Sequence, residues 1–113
     1  MELSVNSVLR DALHATLLEL ESAFDADVMA FTGAIFEGPE NDFLSIVEQI
    51  AHEQKHQKLV IVLTTNGGSA TVVERYVNII RHNYDEVIFI VPDYAYSAGT
   101  IFCMSGDEIW MDY

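Results

Sequence analysis

The chain has 113 residues, about the size of one domain, and half of them are apolar while a fifth are charged, a globular balance that excludes a disordered or collagenous chain. Eighteen acidic residues against five basic ones give a formal net charge of −13, which argues against nucleic acid and anionic membrane surfaces as partners. The longest apolar runs, Leu59 to Leu63 and Val87 to Val91, fall far short of the roughly 20 residues of a membrane-spanning helix.

The N-terminal residues show neither a basic segment nor an unbroken apolar one, so no secretory signal is expected, and a cytoplasmic location is the expectation. The single cysteine, Cys103, cannot form an internal disulfide and reads as a small buried hydrophobe.

Val5, Val8, Leu9, Ala12, Leu13, Leu17, Leu20 and Phe24 recur every three or four positions and predict an amphipathic leading helix over residues 5–24. A strand follows from Asp27 to Ile35, closed by the Glu37-Gly38-Pro39-Glu40 turn, with Asn41 or Asp42 placed to cap the next helix. That helix is expected to reach Gln57, with Phe43, Val47, Ile50 and Ala51 as its apolar stripe and Glu48, Glu53, Gln54 and Lys55 in solvent.

Lys58 to Thr65 is β-branched and continuously apolar in its middle, as in a parallel strand covered on both faces, so helices are expected on both sides of the sheet. After Asn66-Gly67-Gly68-Ser69 a helical period runs through Val72, Val73, Tyr76, Val77 and Ile80 to Tyr84, and a second buried strand spans Glu86 to Val91. Pro92 ends that strand, Asp93 to Tyr96 form a loop, Ser97 to Ser105 a compact helix, and Asp107 to Met111 a last strand. Consecutive βα units of this kind define an α/β fold with a parallel sheet and right-handed crossovers. No linker divides the chain, so residues 1–113 are expected to form one partial domain, a leading helix (1–25) followed by a βα core (26–113).

In an open α/β sheet the working loops leave the C-terminal ends of the strands. Two such loops carry chemistry here. Gly67-Gly68-Ser69 lets backbone amides approach a ligand closely, as a developing oxyanion requires, and Ser97 stands at a strand–loop–helix junction among small residues, as a nucleophile requires. Taken separately, each has a structural explanation: a tight turn with Ser69 as helix cap, and Ser97 as a second helix cap. Their joint placement at one end of neighbouring strands is what acyl-transfer chemistry needs.

From Lys58 onward the sequence resembles the Clp-protease proteolytic subunit and crotonase superfamily, most closely its serine dehydrogenase proteinase branch. The residues carrying the resemblance are Gly67-Gly68-Ser69, Ile90-Val91-Pro92-Asp93-Tyr94-Ala95, Ser97-Ala98-Gly99-Thr100 and Ser105-Gly106-Asp107-Glu108-Ile109. The first half matches in outline only. The resemblance implies a serine endopeptidase-like protein in which Ser97 is the nucleophile and the amides of Gly68 and Ala98 form the oxyanion hole, with Gly67 and Ser69 completing the substrate loop. It further implies a peptide or protein substrate, a homo-oligomer, an unfoldase as a partner, and no cofactor or metal.

Two departures from the family pattern stand out. Asn66 replaces the proline that commonly precedes the two glycines, and none of the 16 residues after Ser97 is His or Lys, so no catalytic base follows the nucleophile. His52, His56 and His82 sit at helix ends that feed the opposite edge of the sheet and read as solvated, His14 reads as helix surface, and Asp93 as a turn residue. Tyr94, Tyr96, Trp110 and Tyr113 are expected to form an aromatic group near the site by packing or subunit contact.

The expectation is therefore a serine-hydrolase-like site that is inactive in this chain for want of a base. The alternatives are a non-catalytic peptide-binding or oligomerisation module, and an acyl-CoA-binding crotonase relative.

Overall fold

The computed structural model describes residues 5–54 and 56–111, so Lys55 and Tyr113 and the side chains of Val5, Val8, Leu9, Leu13 and Gln54 lie outside the described residues. Within them the order is α1 (Val5–Phe24), β1 (Asp27–Thr32), α2 (Glu40–Gln54), β2 (Lys58–Thr64), α3 (Ala70–Asn83), β3 (Glu86–Val91), α4 (Ala98–Met104) and β4 (Glu108–Met111). The fold is α/β, of the Clp-protease/crotonase type, as the sequence predicts. All three strand pairings are parallel and the spatial order is β1-β2-β3-β4, so each helical crossover advances the sheet by one strand.

The sheet is covered unequally. On one face Leu59, Ile61, Leu63, Val87, Phe89 and Val91 join Val47, Val72, Tyr76, Ile80 and Phe102 from α2, α3 and α4 in the main core. On the other, Val28, Val60 and Ile88 meet Leu17, Leu20 and Phe24 of α1. Both faces of β2 and β3 are thereby covered over most of their length, with Val62 and Ile90 half-buried, which explains their unbroken apolar runs. β4 differs: all four of its residues are exposed, and Ile109, Trp110 and Met111 leave about half their surface in solvent. No described helix is long and apolar enough to cross a membrane.

Three sequence expectations need correction. β1 ends at Thr32 rather than Ile35, because the chain turns at Gly33 (φ 125°). Ile35 then rejoins the sheet as an isolated bridge to Gly68. α2 begins at Glu40, so Asn41 and Asp42 lie within its first turn and cap nothing; the Glu40 carboxylate instead reaches back to the Gly38 amide, the Pro39 carbonyl accepts from Phe43 N–H, and the helix ends at Gln54 rather than Gln57, whose carbonyl accepts from the Asp85 and Glu86 amides at the start of β3.

His56 is the third. It is no solvated helix end, because its Nδ1 lies 2.5 Å from Oδ1 of Asp27, whose side chain is fully buried at the start of β1. The Tyr84 hydroxyl, at the C-cap of α3, donates to the other carboxylate oxygen at 2.5 Å. This carboxylate thus ties the entries of β1 and β2 to the end of α3, and its burial is tolerable because both oxygens have partners. Asp27 raises the His56 pKa, chiefly through this hydrogen bond, with Asp25 and Glu21 adding attraction against the opposing effect of desolvation.

In the same last turn of α3, Arg81 donates to the Asp107 carboxylate and to the carbonyls of Asp85 and Ser105, while the same carboxylate accepts from Val87 N–H. That clamp fixes the α4–β4 turn against β3. The Val87 amide and Arg81 together hold the Asp107 carboxyl below its usual range.

Removing the buried carboxylate by Asp27→Ala strands the Tyr84 hydroxyl and should lower the unfolding free energy by about 1–3 kcal/mol in urea titrations. Because the folded pKa of His56 is raised, the stabilisation from its charged form is complete below the ordinary value of 6.5 and is lost as pH rises through the raised one. The unfolding free energy should therefore fall over that window, and His56→Gln should remove the fall.

Candidate active site

The C-terminal ends of β1, β2 and β3 converge on one constellation. β2 continues into Thr65, which is buried and pairs with Ala95 of the loop after β3: Thr65 N–H donates to the Tyr94 carbonyl and Tyr96 N–H to the Thr65 carbonyl. Its hydroxyl accepts from Gly67 N–H at 3.0 Å and so starts the turn. On the other side, Ile35 N–H donates to the Gly67 carbonyl and Ser69 N–H to the Ile35 carbonyl, both at 2.9 Å. The glycine loop is held between the chain segments after β1 and β3.

Only glycine fits here. Gly67 and Gly68 have φ of 98° and 148°. A Cβ on Gly68 would lie 1.8 Å from the Ile35 carbonyl oxygen, and one on Gly67 would lie 2.4 Å from the Tyr96 carbonyl oxygen and 2.7 Å from Ser97 Cβ. The double glycine is thus the shape that lets the loop lie against the serine. Gly99 extends the same logic into α4, where a Cβ would meet Thr65 Cγ2 at 2.4 Å.

The two serines separate cleanly. Ser69 has ordinary extended angles and its Oγ accepts from Val72 N–H at 3.3 Å, a helix N-cap as its structural reading predicts. Ser97 precedes α4 but makes no side-chain cap bond, and it holds φ 55°, ψ −121°, a region that side-chain-bearing residues rarely occupy. Such strain costs about 1–3 kcal/mol and persists only where the surroundings impose it. The result is an exposed hydroxyl not spent on the local backbone, directly beside Gly67. Among the described residues the amides of Gly68 and Ala98 have no protein acceptor.

The sequence-predicted residues Gly67, Gly68, Ser69, Ser97 and Ala98 therefore gather at one place. Two further ones shape it: Thr65, read from sequence as the strand end that opens the glycine loop, and Ile35, read as the end of the first strand. A buried threonine two residues before paired glycines was the available signal for the first. The second works through its main chain, which no side-chain pattern records.

The histidines stay away from it. His56 is committed to Asp27 at the opposite edge of the sheet, His52 and His82 face a shallow recess between α2 and α3 with Glu48 and Asn83, and His14 is on the exposed surface of α1. Asp93 is exposed. The expected aromatic group divides: Tyr94 and Tyr96 stack with centroids 5.1 Å apart, whereas Trp110 packs edge-on against Phe24 of α1. Cys103 lies on the buried side of α4, and burial pushes its thiol pKa up, as befits an unreactive side chain. Among the described residues no three His, Cys, Asp or Glu side chains gather as metal ligands.

The fold also occurs in solved structures. A serine-to-alanine mutant of the 1510-N membrane-bound stomatin-specific protease superposes with a TM-score of 0.60 at 26% identity, over 74% of this chain and 42% of that one. A lysine-to-alanine mutant of the same protease, in complex with a substrate peptide, gives 0.62 and 28% over 74% and 39%. This chain is similar to the structure of that protease. It spans about two fifths of the length of those structures. No family model and no curated protein matches the sequence.

Two substitutions test the geometry. Gly68→Ala should destabilise the chain by about 2–3 kcal/mol because backbone cannot retreat from the new methyl group. Ser97→Gly relieves the positive φ and should stabilise it by about 1 kcal/mol in the same thermal or urea melts, a gain expected only where a strained residue is kept for a reason other than folding.

Proposed function

We propose that the chain carries the nucleophile and oxyanion elements of a serine-peptidase-like site. The observation that carries this reading is Ser97: a strained, exposed serine, free of the capping bond that would explain it, pressed against a double glycine. In this reading the Ser97 Oγ attacks a peptide carbonyl, the carbonyl carbon becomes tetrahedral, and the Gly68 and Ala98 N–H groups take up the charge on its oxygen. The likeness to a protease solved with a substrate peptide supports a peptide as the ligand. Homo-oligomerisation, as in Clp-like proteins, is part of the same proposal.

A base is the missing element. Attack requires the serine proton to leave, and no described His or Lys is placed to receive it: Lys58 stands at the entry of β2, at the opposite end of the sheet, and pairs with Glu86. Asn66 keeps the turn open in place of proline, and its exposed side chain contributes no proton acceptor comparable to an amine or imidazole. We therefore propose that this 113-residue chain alone turns over little or no peptide. The same observation favours a second reading, a module that binds peptide in the glycine–serine cleft without cleaving it.

Fluorophosphonate labelling followed by intact mass distinguishes the two. In the serine-peptidase reading, the folded chain labels slowly at one site, an added alkylamine base speeds the labelling, and Ser97→Ala abolishes it. Equal labelling of Ser97→Ala would refute the nucleophile assignment, and a folded chain that never labels would leave the binding module.

A further inference from the structure

β1 is an edge strand, with no neighbour on its outer side among the described residues. Gly33 N–H donates to the Thr64 carbonyl, which fixes the parity of the strand: odd-numbered residues bond to β2, and the amides and carbonyls of Ala30 and Thr32 point outward. Both residues are exposed. Unpaired main chain of this kind is a template for another extended chain.

A groove of about 520 Å³ runs beside that edge. Leu17 of α1 bounds it on one side of the sheet and Ile46 and Ile50 of α2 on the other, with Phe36 at its upper end. Ile46 and Phe36 leave 48% and 57% of their surface exposed, which is costly for large apolar groups unless something covers them. The groove is apolar inside, and the one charged side chain in its lining is acidic, Asp42, with Glu37 and Glu40 close by in sequence.

We infer that this edge is a second peptide-binding site, taking an extended segment that adds a strand to β1, places one apolar side chain in the groove and carries basic residues at its ends. Charge selects this occupant over a second copy of the chain. Two chains of net charge −13 meeting at this groove would repel one another, whereas lysines flanking the inserted side chain would meet Asp42 and its neighbours. The site lies on the outer edge of β1, separated from Ser97 by the glycine loop that Ile35 holds, and it needs no serine chemistry. It would hold a protein ligand whether or not Ser97 acts on it.

The probe is a fluorescein-labelled peptide of alternating valine and threonine with a central leucine and terminal lysines, followed by fluorescence anisotropy on the full 113-residue chain. Binding should be equal for the unaltered chain and Ser97→Ala, weaken with added salt, and fall about tenfold in Ile46→Glu and in Phe36→Glu, the loss expected of one anchor. Both positions are surface positions, and circular dichroism and melting curves establish that the variants remain folded. Backbone N-methylation of alternate peptide residues should likewise abolish binding.

Undiminished binding by Ile46→Glu, by the N-methylated peptide, or by a peptide with glutamates in place of lysines would overturn the inference. So would loss of binding in Ser97→Ala, which would move the peptide to the serine cleft. A dimer in sedimentation that Ile46→Glu dissolves would assign the groove to a second copy and overturn it as well.

Discussion

The closeness of Gly68 to the Ile35 carbonyl and of Gly67 to Ser97 is the constraint on which the C-terminal edge of this sheet rests. Two isolated bridges, Ile35 to Gly68 and Thr65 to Ala95, extend the parallel pairing beyond the regular strands, and each needs a neighbour without a side chain in the way. Because the backbone hydrogen bonds of three loops are satisfied by one another, the loops hold their shape without a mobile surface turn. A serine in a sparsely populated conformation can be maintained only by surroundings this well determined.

The two edges perpendicular to that line are built differently. At the N-terminal ends of the strands a buried carboxylate, Asp27, gathers a histidine and a tyrosine, one on each oxygen, for structure. At the C-terminal ends the polar groups of the glycine loop and Ser97 are turned outward. A His–Asp pair and an unbonded serine are both present in this small chain, as in a hydrolase triad, yet they lie at opposite ends of the sheet. Composition alone would invite their combination; the strand length between them forbids it.

Unequal coverage of the sheet has a similar logic. α2, α3 and α4 fill one face, α1 part of the other, and the flanking strands are left with main chain or side chains in solvent, β1 along its edge and β4 on both faces. The central strands carry the core, so the site, which hangs from β2 and β3, stands on the best-buried part of the fold. Working groups on loops gain their precision from such support.

Much of this was written in the sequence, and the reason is periodicity. The runs Lys58–Thr64 and Glu86–Val91 are apolar on both faces because both faces are covered, and the helical stripe through Val72, Val73, Tyr76 and Ile80 matches the buried side of α3. Fold class and the pairing of a glycine loop with Ser97 follow from local pattern and spacing, which act over a few residues. What only the tertiary structure decided involves partners far apart in the chain: that Ser69 caps a helix while Ser97 does not, that Thr65 and the Ile35 main chain frame the loop, that His56 belongs to Asp27, 29 residues away, and that Trp110 packs on Phe24. Those choices are set by which strand ends meet and by the space left between them, and no local pattern encodes either.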